Sequence, residues 1–313
     1  MTLNLALKFT GCLLLLIAAF ASHAETGPSS SQTPYLTPVA QGAEFTSVLT
    51  VGDTVKQKHK GNETYRMVGI PDGLGAYDNG DGTITVLMNH ELRDTVGVVR
   101  AHGAKGAFVS KWQIRKSDLK VLNGEDLIEN LVLTSGPTAI SRLCSADLPA
   151  PTAFFNSVSG KGFNEGRIFM SGEENGATGR AFAHLAAGRQ HGTSYQLPAL
   201  GTASWENLVA SPFEQDKTIV AGLDDGNANA SKVYIYVGQK QESGNPVQMA
   251  GLTNGTSYQV RIEGYATEAG IPNDLKAPFG LVASGGTGLN RVEDGAWDTQ
   301  NPNRFYFVTT DSF

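Results

Sequence analysis

The sequence predicts an all-β fold, and within that class a β-propeller that is incomplete at its C-terminus. Three observations carry this. Short runs of β-branched and apolar residues recur along the chain, bounded by Gly, Asp and Asn clusters. Glycine is abundant at 37 residues while charged residues make up only 17%, the balance of a turn-rich β protein. Acidic positions close to apolar runs, at Glu91, Glu173, Asp224 and Glu293, recur at intervals of about 50 to 80 residues, which suits four-stranded blades with insertions better than the tight hairpins of a barrel.

The chain opens with an export signal over residues 1–24. Lys8 gives a positive start, Phe9 to Phe20 is almost wholly apolar, and Ser22 and Ala24 place small residues three and one before a cut at Glu25. The apolar run is shorter than the ~20 residues that span a bilayer, and no later stretch is longer, so no membrane anchor is expected. The destination is the periplasm or the medium. Residues 25–42, rich in Ser, Pro, Thr and Gly, read as a flexible leader. The β domain is expected over 43–313.

Within it, Tyr65 to Ile70 is the first strand. The turn Asp78-Asn79-Gly80-Asp81-Gly82 leads into Thr83 to Met88, a hairpin signature. Further strands are expected at Phe108–Arg115, Leu131–Thr134, Arg167–Met170, Thr218–Gly222, 232–238, Tyr258–Glu263 and Arg304–Thr309. Gly179 to Gly188 reads as a helical turn or two, or a loop. A propeller closes by pairing its ends within one blade, and the sequence stops directly after a strand, at Asp311-Ser312-Phe313. The closing blades are therefore expected to be missing.

The net charge is −6, and removal of Lys8 with the signal makes the mature chain more acidic. Nucleic acid is excluded as a partner, since its binders carry a basic face. An acidic surface suits solubility and, locally, cations. Of the two cysteines, only Cys144 survives cleavage, so the mature chain forms no internal disulfide. Cys144 reads either as a small buried hydrophobe or as a metal ligand.

The acidic positions have more than one reading. The segment 78–82 is a hairpin turn or a calcium loop, and Asp224-Asp225-Gly226-Asn227 is a solvated turn or an oxygen-rich calcium site. Asn89-His90-Glu91 and Gly172-Glu173-Glu174 follow strands directly, and Arg291-Val292-Glu293-Asp294 precedes Trp297 and the last strand. Paired acids are costly to bring together unless a cation or proton separates their charges, so these pairs point to metal. His90 reads as a core histidine bonded to a carbonyl, or as a group orienting Glu91. Trp205 and Trp297 read as core aromatics.

Those three motifs resemble the PhoX-type alkaline phosphatases and their uncharacterised bacterial relatives. Gly136-Pro137-Thr138 ahead of Cys144, and Leu223-Asp224-Asp225-Gly226, add to the resemblance, which runs from about residue 65 to the end. It implies a β-propeller around a cluster of calcium and iron ions that hydrolyses phosphate esters. It makes Glu91, Glu173 and Glu293 metal ligands, with Glu174 and Asp294 next, and Asp224, Asp225 and Cys144 further candidates. There are departures: the phosphatases carry a cysteine where this chain has Gly172, and a histidine–glutamate pair where it has Asp224-Asp225. A non-catalytic, calcium-stabilised binding propeller and a calcium-dependent lactonase are the competing readings. No Gly-x-Ser-x-Gly elbow, zinc-helix motif or P-loop occurs.

Overall fold

The computed structural model describes residues 23–58, 61 and 63–310. Apart from His23 and Ala24, the expected export signal lies outside the described residues. β1 (His23–Thr26) pairs in parallel with β2 (Glu44–Ser47). The stretch expected as a flexible leader is tied down further on: the Ser31 amide donates to Asp53, and Ser29 Oγ accepts from the Val121 amide.

β3 (Thr54–Lys56) and β4 (Thr64–Arg66) form a small hairpin. Sheet I follows in meander order as β5 (Pro71–Asp78), β6 (Thr83–His90), β7 (Phe108–Arg115) and β8 (Val121–Asp126). The turn between β5 and β6 is the one expected. Asp78 accepts from the Gly80 amide and from Lys116, and Asp81 from the Thr83 amide. Gly80 and Gly82 take the positive φ values of 76° and 86° that the turn requires.

β9 (Asn130–Val132) is the outer strand of sheet II. That sheet runs β10 (Leu143–Asp147), β13 (Gly166–Glu173), β14 (Ala181–Gly188), β15 (Thr193–Gln196), β9, with a short excursion through β11 (Phe155–Asn156) and β12 (Lys161–Gly162). Sheet III is the meander β16 (Trp205–Ala210), β17 (Lys217–Asp224), β18 (Val233–Gln239), β19 (Thr256–Ile262), β20 (Phe279–Val282). Sheet IV is the hairpin β21 (Val292–Trp297) and β22 (Phe305–Thr309). The protein is thus all-β in class; its one α-helical turn among the described residues, Pro246–Met249, carries a capping box at Asn245, and four short 3-10 turns accompany it.

The sheets stack face to face in chain order. Leu87, Val109, Phe169 and Phe182 form the layer between sheets I and II. Met170, Leu185, Trp205 and Tyr236 fill the layer between II and III. Val209, Leu223, Val233 and Val292 join III to IV. One edge strand of each sheet lies innermost: β10 packs against both β5 and β16, and β16 against β21. The four sheets do not close into a ring among the described residues.

Two elements differ from the sequence reading for one reason. Residues 181–188 form a strand, not a helical turn. Ala181, Ala183 and Leu185 enter one core layer while Phe182 and Ala186 enter the next. A strand buried on both faces shows no polar alternation. β16 is hidden in the same way, with all six residues buried. Trp205 and Trp297 take core positions, and the Trp297 indole donates to the Val209 carbonyl.

Candidate metal centre

The four inner strands begin alike. The first residue of each pairs with the last residue of the next strand in its sheet: Pro71 with His90, Leu143 with Glu173, Trp205 with Asp224, Val292 with Thr309. The following residue then folds back onto the carbonyl just ahead of the inner strand. Glu91 N donates to Ile70 O at 2.9 Å, Glu174 N to Arg142 O at 2.8 Å, Asp225 N to Ser204 O at 2.8 Å, and Thr310 N to Arg291 O at 3.0 Å. Directly after its first residue each inner strand slips register, between 71 and 74, 143 and 146, 205 and 207, and 292 and 295. A bulge re-aims the residues it contains. Here these include Asp72, Cys144, Glu206 and Glu293. Each sheet therefore supplies one bulge residue and one fold-back residue, Glu91, Glu174, Asp225 or Thr310.

These side chains converge in three overlapping groups: Asp72, Glu91 and Cys144; Cys144, Glu174 and Glu206; Glu206, Asp225 and Glu293. Within each group the potential ligand atoms lie within 4.8 Å of one another. Cys144 Sγ is 3.3 Å from Glu206 Oε1 and 3.7 Å from Asp72 Oδ2. Glu174, Glu206 and Asp225 are buried.

Two arginines, both at the residue just before an inner strand and both at positive φ (49° and 45°), lie among the acids. Arg142 donates to Glu91 at 2.7 Å and to Glu174. Arg291 donates to both oxygens of Asp225, each at 2.9 Å, and lies 3.2 Å from Glu293. The acids still crowd one another. Burial, reinforced by Asp225, Glu206 and Glu91 against the pull of Arg142, pushes Glu174 up to about 7. Burial, with Glu293 and Asp72, pushes Glu206 to about 7. Asp72 is raised by burial and by Glu91. The Cys144 thiol is raised by burial and by Glu206. Like charges brought close in a poorly hydrated place have this effect.

Of the sequence-derived candidates, Glu91, Cys144, Glu174, Asp225 and Glu293 meet here. Glu173 does not join them. Its carboxylate accepts from the Arg180 guanidinium at 2.7 and 2.8 Å, from the Arg180 amide at 3.0 Å and from the Ser141 amide at 2.8 Å. The reason is register: Glu173 is the last strand residue, equivalent to His90 and Asp224, and Glu174 is the equivalent of Glu91. A one-residue step along a strand reverses the side chain. Asp224 likewise faces backbone, accepting from Ser204 and Lys232 amides at 3.1 and 3.2 Å. Asp294 accepts from Asn207 at 2.7 Å. His90 is buried, stacked on Phe108, and bonded to the Val68 carbonyl and Ser110 hydroxyl, at 2.9 and 2.8 Å.

Asp72 and Glu206 escaped the sequence reading. Glu206 had a signal, a lone acid within Trp205-Glu206-Asn207-Leu208-Val209. Asp72 had only its place after Pro71. Gly172 is close-packed: a Cβ there would fall 2.4 Å from the Trp205 Cβ. The thiol among these groups is Cys144, on β10.

No protein-family profile matches the chain, and no curated protein does. Among solved structures, Pseudomonas fluorescens PhoX in complex with vanadate, a transition state analogue, superposes with a TM-score of 0.45 at 11% identity, over 72% of this chain and 56% of that one. The chain thus spans a little over half the length of that protein. No helix among the described residues is long and apolar enough to cross a membrane.

Proposed function

We propose that this chain is an exported, metal-dependent phosphate-ester hydrolase whose four sheets are successive blades of a β-propeller around the acidic groups. One observation carries the reading: three ligand groups that overlap at Cys144 and Glu206. Isolated acidic turns are common, but side chains from four sheets aimed at one place by four equivalent bulges are a built arrangement.

The donors fit a mixed cluster. Glu206, Asp225 and Glu293 offer only oxygen, which suits calcium. Asp72, Glu91 and Cys144 add a thiol, which suits a transition metal such as iron. Bound there, such cations neutralise phosphoryl oxygens and lower the pKa of water. Arg142 and Arg291, about a third and nearly half exposed in their side chains, present N–H donors beside the carboxylates and would orient the phosphoryl group. The resemblance of Asn89-His90-Glu91 and Arg291-Val292-Glu293-Asp294 to PhoX-type phosphatases supports a phosphate ester as substrate. The test is metal analysis of protein loaded with calcium and iron, followed by assays with p-nitrophenyl phosphate, its diester and a lactone. Bound metal with monoester turnover is expected; turnover of the lactone alone overturns the substrate class.

A second reading is a calcium-stabilised binding propeller without turnover. It is favoured by the engagement of both arginines with Glu91, Glu174 and Asp225. Calcium uptake with no hydrolysis of any of the three probes would select it.

A further inference from the structure

Away from the acidic groups, toward the other end of β5 and β6, a cleft of about 610 Å³ opens on the face of sheet I. Its floor is one cross-strand row. Tyr77, Thr85, Gln113 and Asn123 stand directly opposite one another across β5, β6, β7 and β8. The same sheet face changes character along its length. Leu87 and Val109 are fully buried in the layer against sheet II, with Phe169 and Phe182. Two residues further along each strand the positions are Thr85 and Lys111, and the layer gives way to the cleft. Glu129, just ahead of β9, and His191, in the β14–β15 turn, also line it.

Thr85 and Asn123 are buried, with 3% and 8% of their surface exposed. Polar side chains placed where a sheet face would otherwise bury apolar ones are the departures from pattern that mark function. The row is also fixed in position. Thr85 donates to Asn79 at 3.1 Å, Gln113 donates to Thr83 at 3.1 Å, and Asn123 donates to Glu125 at 3.2 Å. Lys58 also donates to both carboxamide oxygens, from its amide to Asn123 at 2.8 Å and from its ammonium to Gln113, and each carboxamide keeps one N–H and one oxygen lone pair beyond these bonds. The formal charges of the lining sum to zero: Lys111 lies 3.2 Å from Glu125, and Lys58, whose ammonium donates to Gln113, and Glu129 add one cation and one anion. The volume lies within the ~300–1,000 Å³ of ligand sites. A second chamber of about 130 Å³, sharing Lys58, Asn123 and Glu125, extends it toward Tyr65 and Asp126.

We infer that this cleft binds a neutral oligosaccharide. A row of hydroxyl and carboxamide groups without net charge matches a ligand that carries many hydroxyls and no charge. An anionic ligand would meet Glu125 and Glu129 without a surplus cation, and an apolar one would strip water from Gln113 and Asn123 without replacing their hydrogen bonds. The inference does not depend on the chemistry of the acidic groups.

The test is calorimetric titration of the full chain, in chelator, with maltotetraose, cellotetraose, chitotetraose and tetragalacturonate. Binding of a neutral tetrasaccharide is expected. Gln113→Ala and, separately, Thr85→Val should each weaken it by about tenfold, the loss of one or two hydrogen bonds, with the melting temperature held. Thr85→Val keeps the side-chain shape, so a folding defect in one variant leaves the other decisive. No binding of any neutral probe at millimolar concentration overturns the inference. So does tighter binding of the uronate, or variants that bind as the wild type does.

Discussion

Cys144 donates its thiol hydrogen to Glu206 across 3.3 Å, from one inner strand to the next. Both residues belong to two of the three ligand groups, so this contact is the joint of the candidate centre. Glu206→Gln should therefore remove ligands from two positions at once. Elemental analysis after loading with calcium and iron should show at least half of the bound metal gone. A full complement in that variant would break the link between this joint and metal binding.

Glu173→Gln should behave differently. Glu173 is 3% exposed and its partner Arg180 is 6% exposed, so the variant leaves a buried guanidinium without its counter-charge. Breaking such a pair costs about 3–5 kcal/mol. Urea denaturation should show that loss while metal content stays near the wild-type value. The reverse pattern, lost metal at unchanged stability, would return Glu173 to the centre.

Stability should fall as pH rises through neutrality. Asp147 is pushed up to about 7, mainly by burial, as are Glu174 and Glu206. Between the unfolded pKa near 4 and the folded value near 7, the folded state holds more protons than the unfolded one. Each added pH unit therefore costs the folded state stability. Buried His90 and His184, lowered to about 4 and 3, oppose this trend below their unfolded pKa near 6.5, so in chelator the melting temperature should decline from about pH 6.5 to pH 8. Calcium should raise it more at pH 8 than at pH 5, because protons compete for the same oxygens; saturation at a thousand times Kd is worth about 4 kcal/mol. Scanning calorimetry in both buffers measures the crossing trends. A flat profile in chelator would show that these carboxyls are not held protonated.

Gly172→Ala should destabilise the protein without touching the metal. The new Cβ would meet Trp205 at 2.4 Å, and Gly222 on the far side of the same indole leaves no slack, since its own Cβ would fall 2.6 Å from the ring. Overpacking of this kind costs about 1–3 kcal/mol. Denaturant midpoints measure the cost. A neutral effect would mean that Trp205 can shift.

The amino-acid sequence alone determined the all-β class, because alternating β-branched runs between Gly, Asp and Asn turns have no helical solution. Thr83–His90 with its turn, Phe108–Arg115 and Val233–Gln239 were legible in this way, each carrying its own local signal. So was the presence of acids at strand ends. The sequence was silent where burial covers both faces of a strand, as in Ala181–Gly188 and Trp205–Ala210, since a two-sided core erases the polar alternation. It also could not choose between Glu173 and Glu174. Neighbouring acids look alike in composition, and only the register of β13 against β10 turns one into the Arg180 pair and the other toward Cys144. Tertiary structure decided the candidate centre because its side chains come from bulges and fold-backs on four separate sheets. A bulge is a relation between two paired strands, and neither strand encodes it alone.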